Sequence, residues 1–516
     1  MKKALDVLFV NPGSRQQIYQ NLGNEFSAIE PPAFAGLFAN YIRRKGYGVD
    51  ILDAHTYGMD SVEAAKKIVQ DYKPLLVVMV IYGYQPSGST QNMTATGEIC
   101  SFIKEANPEI KILMTGTHPA ALPERTMREE SVDFVCDREG PETILQTVEA
   151  LKANTRDFSG IPSLWWRAED GSIRANRPGE LLANIDNEMP GVAWDLLPME
   201  RYRAHNWHCF DHIHERSPYA AIHTALGCPY RCTFCCINAP FGKPTYRMWH
   251  PDSVIKEIDT LVTQYGVKNI KFVDEMFVLN EAHVIGICDR IIERGYKLNI
   301  WAYGRIDTVK EQFLEKLKRA GVNWLALGIE SGSKHVRDGA QKRFGNEDII
   351  DTVRRIQRAG IYVMGNFIFG LPDDNFETMQ NTFDLAVELD CEFANLYNAM
   401  AYPGSRLYTL AVEQGLPLPE KWHHYSQHAY ETFPLATDYV SSADVLWFRD
   451  EVFHRYFEGS RYLGMIRKKF GEEVVAHLRR MAGIHLKRKL LEGYQPPADL
   501  FSVGTMGCES RAESKA

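Results

Sequence analysis

The sequence predicts an α/β protein: an N-terminal Rossmann-like, doubly wound parallel sheet, then a partial (β/α)6 barrel, then a helical region. Three observations carry this prediction. The chain has 516 residues, 45% of them hydrophobic and 24% charged, an ordinary globular balance over more than one domain's length. Over the first ~150 residues apolar strands alternate with helical stretches, the rhythm of a parallel sheet covered on both faces. A second strand–helix series begins at residue 219 and runs for about 190 residues.

In the first unit (1–154) the expected strands are LDVLFVNP (5–12), YGVDILD (47–53), PLLVVMVIYG (74–83), IKILMTG (110–116) and VDFVCD (132–137). Pro32 marks the start of a helix, PAFAGLFANYIRRKG. Four strands run into the segments NPGS, YGYQPSGST, TGTHP and CDREGP. A doubly wound sheet gathers such segments at the carboxyl ends of its strands, where ligands bind. No G-x-G-x-x-G follows the first strand and no G-x-x-x-x-G-K-[ST] occurs, so the expected site is not a standard dinucleotide or P-loop site. Residues 155–215 read as an ordered connector, with a hairpin turning at Asp170-Gly171 and a histidine-dense stretch, HNWHCFDHIHE.

The barrel unit (216–410) offers strands at 219–226, 268–275, 297–304, 323–330, 361–370 and 393–402. Six repeats fall short of the eight of a closed barrel, so an open, partial one is expected. Residues 411–516 read as helical (VLWFRDEVFHRYF, EEVVAHLRRMAGIHLKRKLL) with a polar tail.

A net charge of −8 gives no general attraction to nucleic acid or anionic membrane. No apolar stretch reaches the ~18–20 residues of a membrane span. Asp6, Asn11 and Pro12 break the apolar start too early for a signal peptide. A cytoplasmic location is expected, with the ten cysteines kept reduced.

Four of those cysteines, Cys228, Cys232, Cys235 and Cys236, fall within nine positions. The first three form a C-x-x-x-C-x-x-C loop just after the first barrel strand. Three thiolates on one short loop can hold three irons of a [4Fe–4S] cluster and leave the fourth open. A zinc site would need a fourth ligand, which Cys236, next to Cys235, would not easily supply.

This loop at the end of a first barrel strand resembles the radical S-adenosylmethionine (SAM) superfamily. In that family the open iron binds SAM, which is cleaved reductively to a 5′-deoxyadenosyl radical. The resemblance extends from 219 to 405 and implies a set of SAM contacts. Phe234 stands at the aromatic position near adenine, and Asp274 and Glu275 in FVDEMF at the contacts to the methionine amino group. Glu330 and Ser331 in GIESGS match ribose or carboxylate ligands, Asn366 lies in the fifth-strand motif NFIFGLPDD, and Tyr402 lies in AYPGS. Arg305 ends the third strand at the same mouth.

The first unit resembles the cobalamin-binding domain of the B12-dependent radical SAM subgroup. The resemblance implies cobalamin contacts from Pro12 and Ser14 in VNPGS, and from Gln85, Ser87, Ser89 and Thr90 in YGYQPSGSTQNM. It adds Gly116, Thr117 and His118 in GTHPAALPE, and Glu139 and Gly140 in VDFVCDREGPET, where R-E-G-P departs from the commoner G-E-G-E. Asp53-Ala-His55-Thr-Tyr-Gly58 matches D-x-H-x-x-G, but it follows the second strand rather than the first, so axial ligation by His55 is set aside. The cluster His205, His208, Cys209, His212 and His214 lacks the helix or knuckle of a metal site. It is read as a hydrogen-bonded connector, with lining of the substrate cavity as the alternative.

The expected function is methylation of an unactivated carbon of a small-molecule substrate, by way of the 5′-deoxyadenosyl radical and methylcobalamin. The cofactors are a [4Fe–4S] cluster, SAM and cobalamin, with an electron donor such as a flavodoxin or ferredoxin and no nucleic-acid partner. A non-methylating cyclisation, oxidation or rearrangement would use the same motifs. A corrinoid-binding sensor without turnover would not need the intact cysteine loop. A methylthiotransferase would want a second cysteine trio, which Cys100 and Cys136 do not supply.

Overall fold

The computed structural model describes residues 2–497 except 14, 24 and 84. Five parallel strands form the first sheet: β1 (Lys3–Asn11), β2 (Val49–Asp53), β3 (Tyr72–Ile81), β4 (Lys111–Gly116) and β5 (Phe134–Cys136). Their spatial order is β2-β1-β3-β4-β5, which places a topological switch point between β1 and β3. Alternate residues serve opposite faces. Val7, Phe9, Leu76 and Val78 join one buried cluster, and Leu8, Val10, Val77 and Met79 another. Both faces are apolar because both are covered. Helix Ala33–Arg44, starting right after Pro32, packs on the first face, and helices Ser61–Asp71 and Gly88–Ala106 pack on the second.

The hairpin expected in the connector belongs to this sheet. Strand β6 (Leu164–Arg167) pairs antiparallel with β5, and β7 (Ile173–Ala175) pairs antiparallel with β6 around Asp170–Gly171. Trp165 donates Nε1–H to Asp137 Oδ2 at 2.9 Å, fixing the hairpin to the sheet. The two strands cover an edge that would otherwise present unpaired backbone.

The second unit has six parallel strands: β8 (Tyr219–Ile222), β9 (Asn269–Phe272), β10 (Asn299–Arg305), β11 (Val322–Glu330), β12 (Tyr362–Phe369) and β13 (Phe393–Asn398). They neighbour one another in that sequence, giving the expected open (β/α)6 sheet. Amphipathic helices such as Pro251–Tyr265 and Asn346–Arg358 contribute Ile255, Ile258, Val353 and Ile356 to its outer layer.

The histidine-rich connector forms the floor of this barrel. Asn299 Nδ2 donates to the His208 carbonyl and to Asn269 Oδ1, both at 2.9 Å, and Asn323 Nδ2 donates to Asn299 Oδ1 at 3.0 Å. The Trp207 ring sits 5.0 Å from Trp301 and 5.2 Å from Trp324. These contacts lie at the amino ends of the strands, away from the cysteine loop. The alternative reading, that the histidines line the substrate cavity, is therefore corrected. They disperse: buried His208 lies 3.1 Å from the Asn299 carbonyl, His205 lies 3.7 Å from Glu30, His214 meets Glu473, and His212 is exposed.

Glu30 enters the barrel interior from the first domain. Its Oε2 lies 2.9 Å from Lys271 Nζ on β9, with both side chains 3% exposed. Tyr219 donates to Glu30 Oε1 at 3.2 Å, and the Lys271 ammonium sits 4.9 Å from the Trp301 ring centre.

Beyond the barrel, helices Ser442–Glu458, Ser460–Phe470 and Glu472–Ala482 pack as expected. The expected helix through LKRKLL stops at Ala482 instead, before Gly483, and the chain turns so that Arg488 reaches Asp450 at 2.7 Å. Residues 414–441 run mostly without regular structure rather than as helix. The polar tail lies outside the described residues. Among those described, no helix is long and apolar enough to cross a membrane.

Candidate active site

The cysteine loop is braced from below. After β8, Asp274 at the end of β9 accepts the Thr224 backbone N–H at 2.6 Å and the Thr224 hydroxyl as well. Burial pushes the Asp274 carboxyl up to about 6, while these hydrogen bonds pull it down. Asp274 is thus committed to positioning the approach to the loop. Gly227 then turns at φ +84°, where a Cβ would lie 2.6 Å from the Thr245 carbonyl oxygen, so only glycine fits. Past the turn, Asn238 accepts from the Cys228 N–H at 3.4 Å and donates to the Tyr230 carbonyl at 3.2 Å.

Cys228, Cys232 and Cys235 line one cavity of about 260 Å³ at the carboxyl ends of the barrel strands. Their sulfurs do not form a group whose ligand atoms all lie within 4.8 Å of one another, the spacing of a single ion's shell. Three thiols on one short loop suit a cluster that keeps one iron open. Burial raises the thiols, Cys228 to about 11 and the adjacent Cys236 to about 12. Two cations stand ready for an anionic cluster. Arg305 Nη1 lies 3.8 Å from Cys232 Sγ, and Lys342 shares the cavity.

Most of the barrel residues implied by the resemblance meet here. Phe234, Glu275, Arg305, Glu330, Asn366 and Tyr402 all line the cavity. Arg305 is held by Asp307 at 2.7 Å and lies 4.2 Å from the Tyr230 ring centre. Glu330 adopts a left-handed φ of +68°, strained for a non-glycine residue, and pairs with Lys342. Asn366 donates to the Leu327 carbonyl at 3.1 Å and accepts from Asn395 at 3.0 Å. Ser331 is fully buried and does not line the cavity; it meets Thr382 Oγ1 at 3.1 Å and receives the Ser333 N–H.

Among the lining residues that escape the sequence reading are Lys342, Asn398 and Gln427. Asn398 is 2% exposed, and neither polar atom of its carboxamide has a protein partner. A buried amide left unpaired in a cavity implies a bound group that pairs with it. Gln427 grips the Asn398 backbone on both sides, accepting its N–H at 2.8 Å and donating to its carbonyl at 2.9 Å. No local pattern marks Lys342 and Gln427, which reach the cavity from outside the barrel strands, whereas Asn398 ends β13.

The first domain contributes Gln85 and Ser87 to the same cavity. Two narrower hollows continue between the domains, lined by Phe34, Tyr82 and Thr117 on one side and His223 and Val273 on the other. Gln85, Ser87 and Thr117 are neutral hydrogen-bonding groups, a donor set that fits the carboxamide-fringed rim of a corrinoid. The other residues expected at cobalamin are engaged within the protein. Ser89 bonds the Ile81 carbonyl and receives the His118 N–H at 2.9 Å, while His118 Nδ1 meets Thr90 Oγ1 at 3.2 Å. Glu139 is clasped by Arg247 at 2.5 Å and accepts the Leu182 N–H, which anchors the two domains to each other. A Cβ on Gly116 would lie 2.0 Å from the Ile81 carbonyl oxygen, and one on Gly140 would lie 3.1 Å from Thr115 Oγ1. Glycine at both positions lets protein segments pack closely there. Pro12 is buried just beyond β1, and Ser14 lies outside the described residues. His55 is buried and absent from the cavity lining.

Of the two acids in FVDEMF, Glu275 is the one that faces this cavity. Burial lifts its carboxyl to about 7, with Lys271 opposing and Asp274 adding to the rise. An ammonium group on a ligand would restore its charge. Glu275→Gln is expected to weaken SAM binding by roughly 10- to 150-fold, the worth of a charged hydrogen bond of about 1.5–3 kcal/mol. Equilibrium dialysis with labelled SAM checks this, and unchanged affinity would remove Glu275 from the site.

Comparison with known proteins bears on the same features. The B12 binding domain family model matches residues 22–148, and the radical SAM superfamily model matches residues 222–386. Over 425 residues the chain is 30% identical to an uncharacterized methyltransferase of Pyrococcus horikoshii, covering 82% of this chain and 87% of that one. It is 25% identical over 409 residues to the anaerobic magnesium-protoporphyrin IX monomethyl ester cyclase of Rubrivivax gelatinosus, covering 78% and 69%. Among solved structures, the radical enzyme OxsB with aqua-cobalamin and SAM bound matches at TM-score 0.67 and 16% identity, covering 93% of this chain and 72% of that one. The methyltransferase TsrM from Kitasatospora setae, with cobalamin and a [4Fe–4S] cluster bound, matches at TM-score 0.62 and 19% identity, covering 80% and 75%. These two share the fold. The chain belongs to the cobalamin-dependent radical SAM family and is a radical SAM enzyme whose cofactors are a [4Fe–4S] cluster, SAM and cobalamin.

Proposed function

We propose that this protein transfers a methyl group from SAM, by way of cobalamin, to an unactivated carbon of a small-molecule substrate. The observation that carries the reading is the single cavity lined both by the cysteine loop and by Gln85 and Ser87 of the first domain. The methyltransferase of P. horikoshii, similar over most of both chains, supports it. When bound, the cofactors supply a hydrogen-abstracting radical and a transferable methyl group. The chain's own residues position and shield. Cys228, Cys232 and Cys235 hold the cluster, Glu275 pairs with an ammonium, and Arg305 and Lys342 counter negative charge. Gln85, Ser87 and Thr117 orient the corrinoid, while Phe234, Ile368 and Met400 exclude water from the radical. Electrons come from a donor such as a flavodoxin or ferredoxin.

The test needs no substrate. Anaerobic protein is given cobalamin, reductant and SAM with a labelled methyl group, and the cobalamin is then analysed for label. Labelled cobalamin is the expected result. Formation of 5′-deoxyadenosine without label on cobalamin would favour a second reading, a non-methylating radical reaction, which the similarity to the R. gelatinosus cyclase motivates.

A further inference from the structure

We infer that His423, His424 and Glu431 form a binding site for one zinc ion, separate from the cysteine loop and outside the cavity. Among the described residues, this is the group of His, Cys, Asp or Glu whose ligand atoms all lie within 4.8 Å of one another, and all three side chains are half-buried. Two imidazole nitrogens and a carboxylate oxygen are borderline donors, the set that zinc accepts with a water completing the shell.

The site is built by a turn of the chain and by a neighbouring helix. Phe433 N–H donates to the His424 carbonyl at 3.3 Å, which folds the segment back and brings Glu431 to the two histidines. Thr94 Oγ1, on helix Gly88–Ala106, receives the His423 N–H at 3.2 Å and meets His423 Nδ1 at 3.1 Å. Ligating histidines are oriented by a hydrogen bond on the other ring nitrogen, and here the Thr94 hydroxyl is placed to make it. An open hollow beside the site carries Glu98, Glu129, Glu130 and Glu420 against Arg125 and Lys421, a field that draws cations in.

The place of the site explains what an ion would do there. The segment from Trp422 to Gln427 straps the two domains together. Trp422 packs edge-on to His118 at 4.4 Å, the Tyr425 carbonyl receives the Tyr402 hydroxyl at 3.1 Å, and Gln427 holds Asn398. Zinc on His423, His424 and Glu431 would tie the outer side of that strap, while Thr94 ties it to the first domain.

The full-length chain with its cluster assembled is titrated with zinc against a chromophoric chelator, and zinc and iron are counted after desalting. One zinc per chain beyond the cluster iron is expected, with a rise in melting temperature on zinc addition. His423→Ala and Glu431→Gln should each lose that zinc and that rise, while Thr94→Val should weaken affinity roughly 10–100-fold. To exclude zinc held by thiols, the same titration is run on the Cys228→Ala/Cys232→Ala/Cys235→Ala chain, which should still take one. Folding of each variant is checked by its zinc-free melting. No zinc in the cluster-loaded chain, or zinc unchanged by Glu431→Gln, overturns the site.

Discussion

Replacing Cys232 with alanine is expected to abolish reductive cleavage of SAM, a loss of roughly 10³-fold or more, equivalent to about 4 kcal/mol of barrier. Cys228, Cys232 and Cys235 are the spaced trio on the cavity; Cys236 lines it too, but as the immediate neighbour of Cys235 it would not easily take the place of Cys232. A cluster short of one ligand is lost or misheld, and without it SAM has no electron to receive. The measurement is 5′-deoxyadenosine formed from SAM under reducing conditions, beside cobalamin binding by absorbance. Cobalamin binding should survive, since Gln85, Ser87 and Thr117 lie on the other domain. Cleavage at the wild-type rate would overturn the enzymatic role of the loop, and a corrinoid response retained in the variant alone would not rescue it.

Glu30→Ala is expected to destabilise the fold by about 3–5 kcal/mol, because it removes the buried carboxylate paired with the Lys271 ammonium in the barrel interior. Removing both charges should be far milder. The Glu30→Ala/Lys271→Met protein is expected to recover most of the loss, since an apolar side chain suits the neighbours Trp301 and Tyr219. Denaturant midpoints of the three proteins decide it. Equal loss in the single and double variants would mean that the charge pair is not what holds this contact.

Much of this architecture was legible in the sequence. Hydrophobic period and strand–turn punctuation placed all five first-sheet strands and all six barrel strands, because both are local properties. The cysteine spacing marked the loop for the same reason. What escaped depends on contacts between residues far apart in the chain. The hold of Arg247 on Glu139, 108 positions earlier, is one such contact. Asp274 and Glu275 are indistinguishable as neighbours in FVDEMF, and only the fold turns one toward Thr224 and the other toward the cavity. The hairpin at Asp170 was visible, but not the open edge of β5 that it pairs with. The strap from Trp422 to Gln427 sits in a segment read as helical, where neither period nor motif announces a role.

The barrel's floor carries a consequence for inheritance. Trp207, His208 and Glu30 come from the connector and the first domain, yet they fill the amino end and interior of the barrel. A gene encoding only the barrel would therefore produce a cup without a base, with Lys271 bare and Trp301 and Trp324 uncovered. Recombination that swaps barrels between members of such a family must carry the connector along or repair three interfaces at once. The strand ends on the opposite side are tied to the first domain as well, through the shared cavity and the Glu139–Arg247 pair, so new substrates can arise by change among the side chains lining the mouth while the two halves descend as one piece.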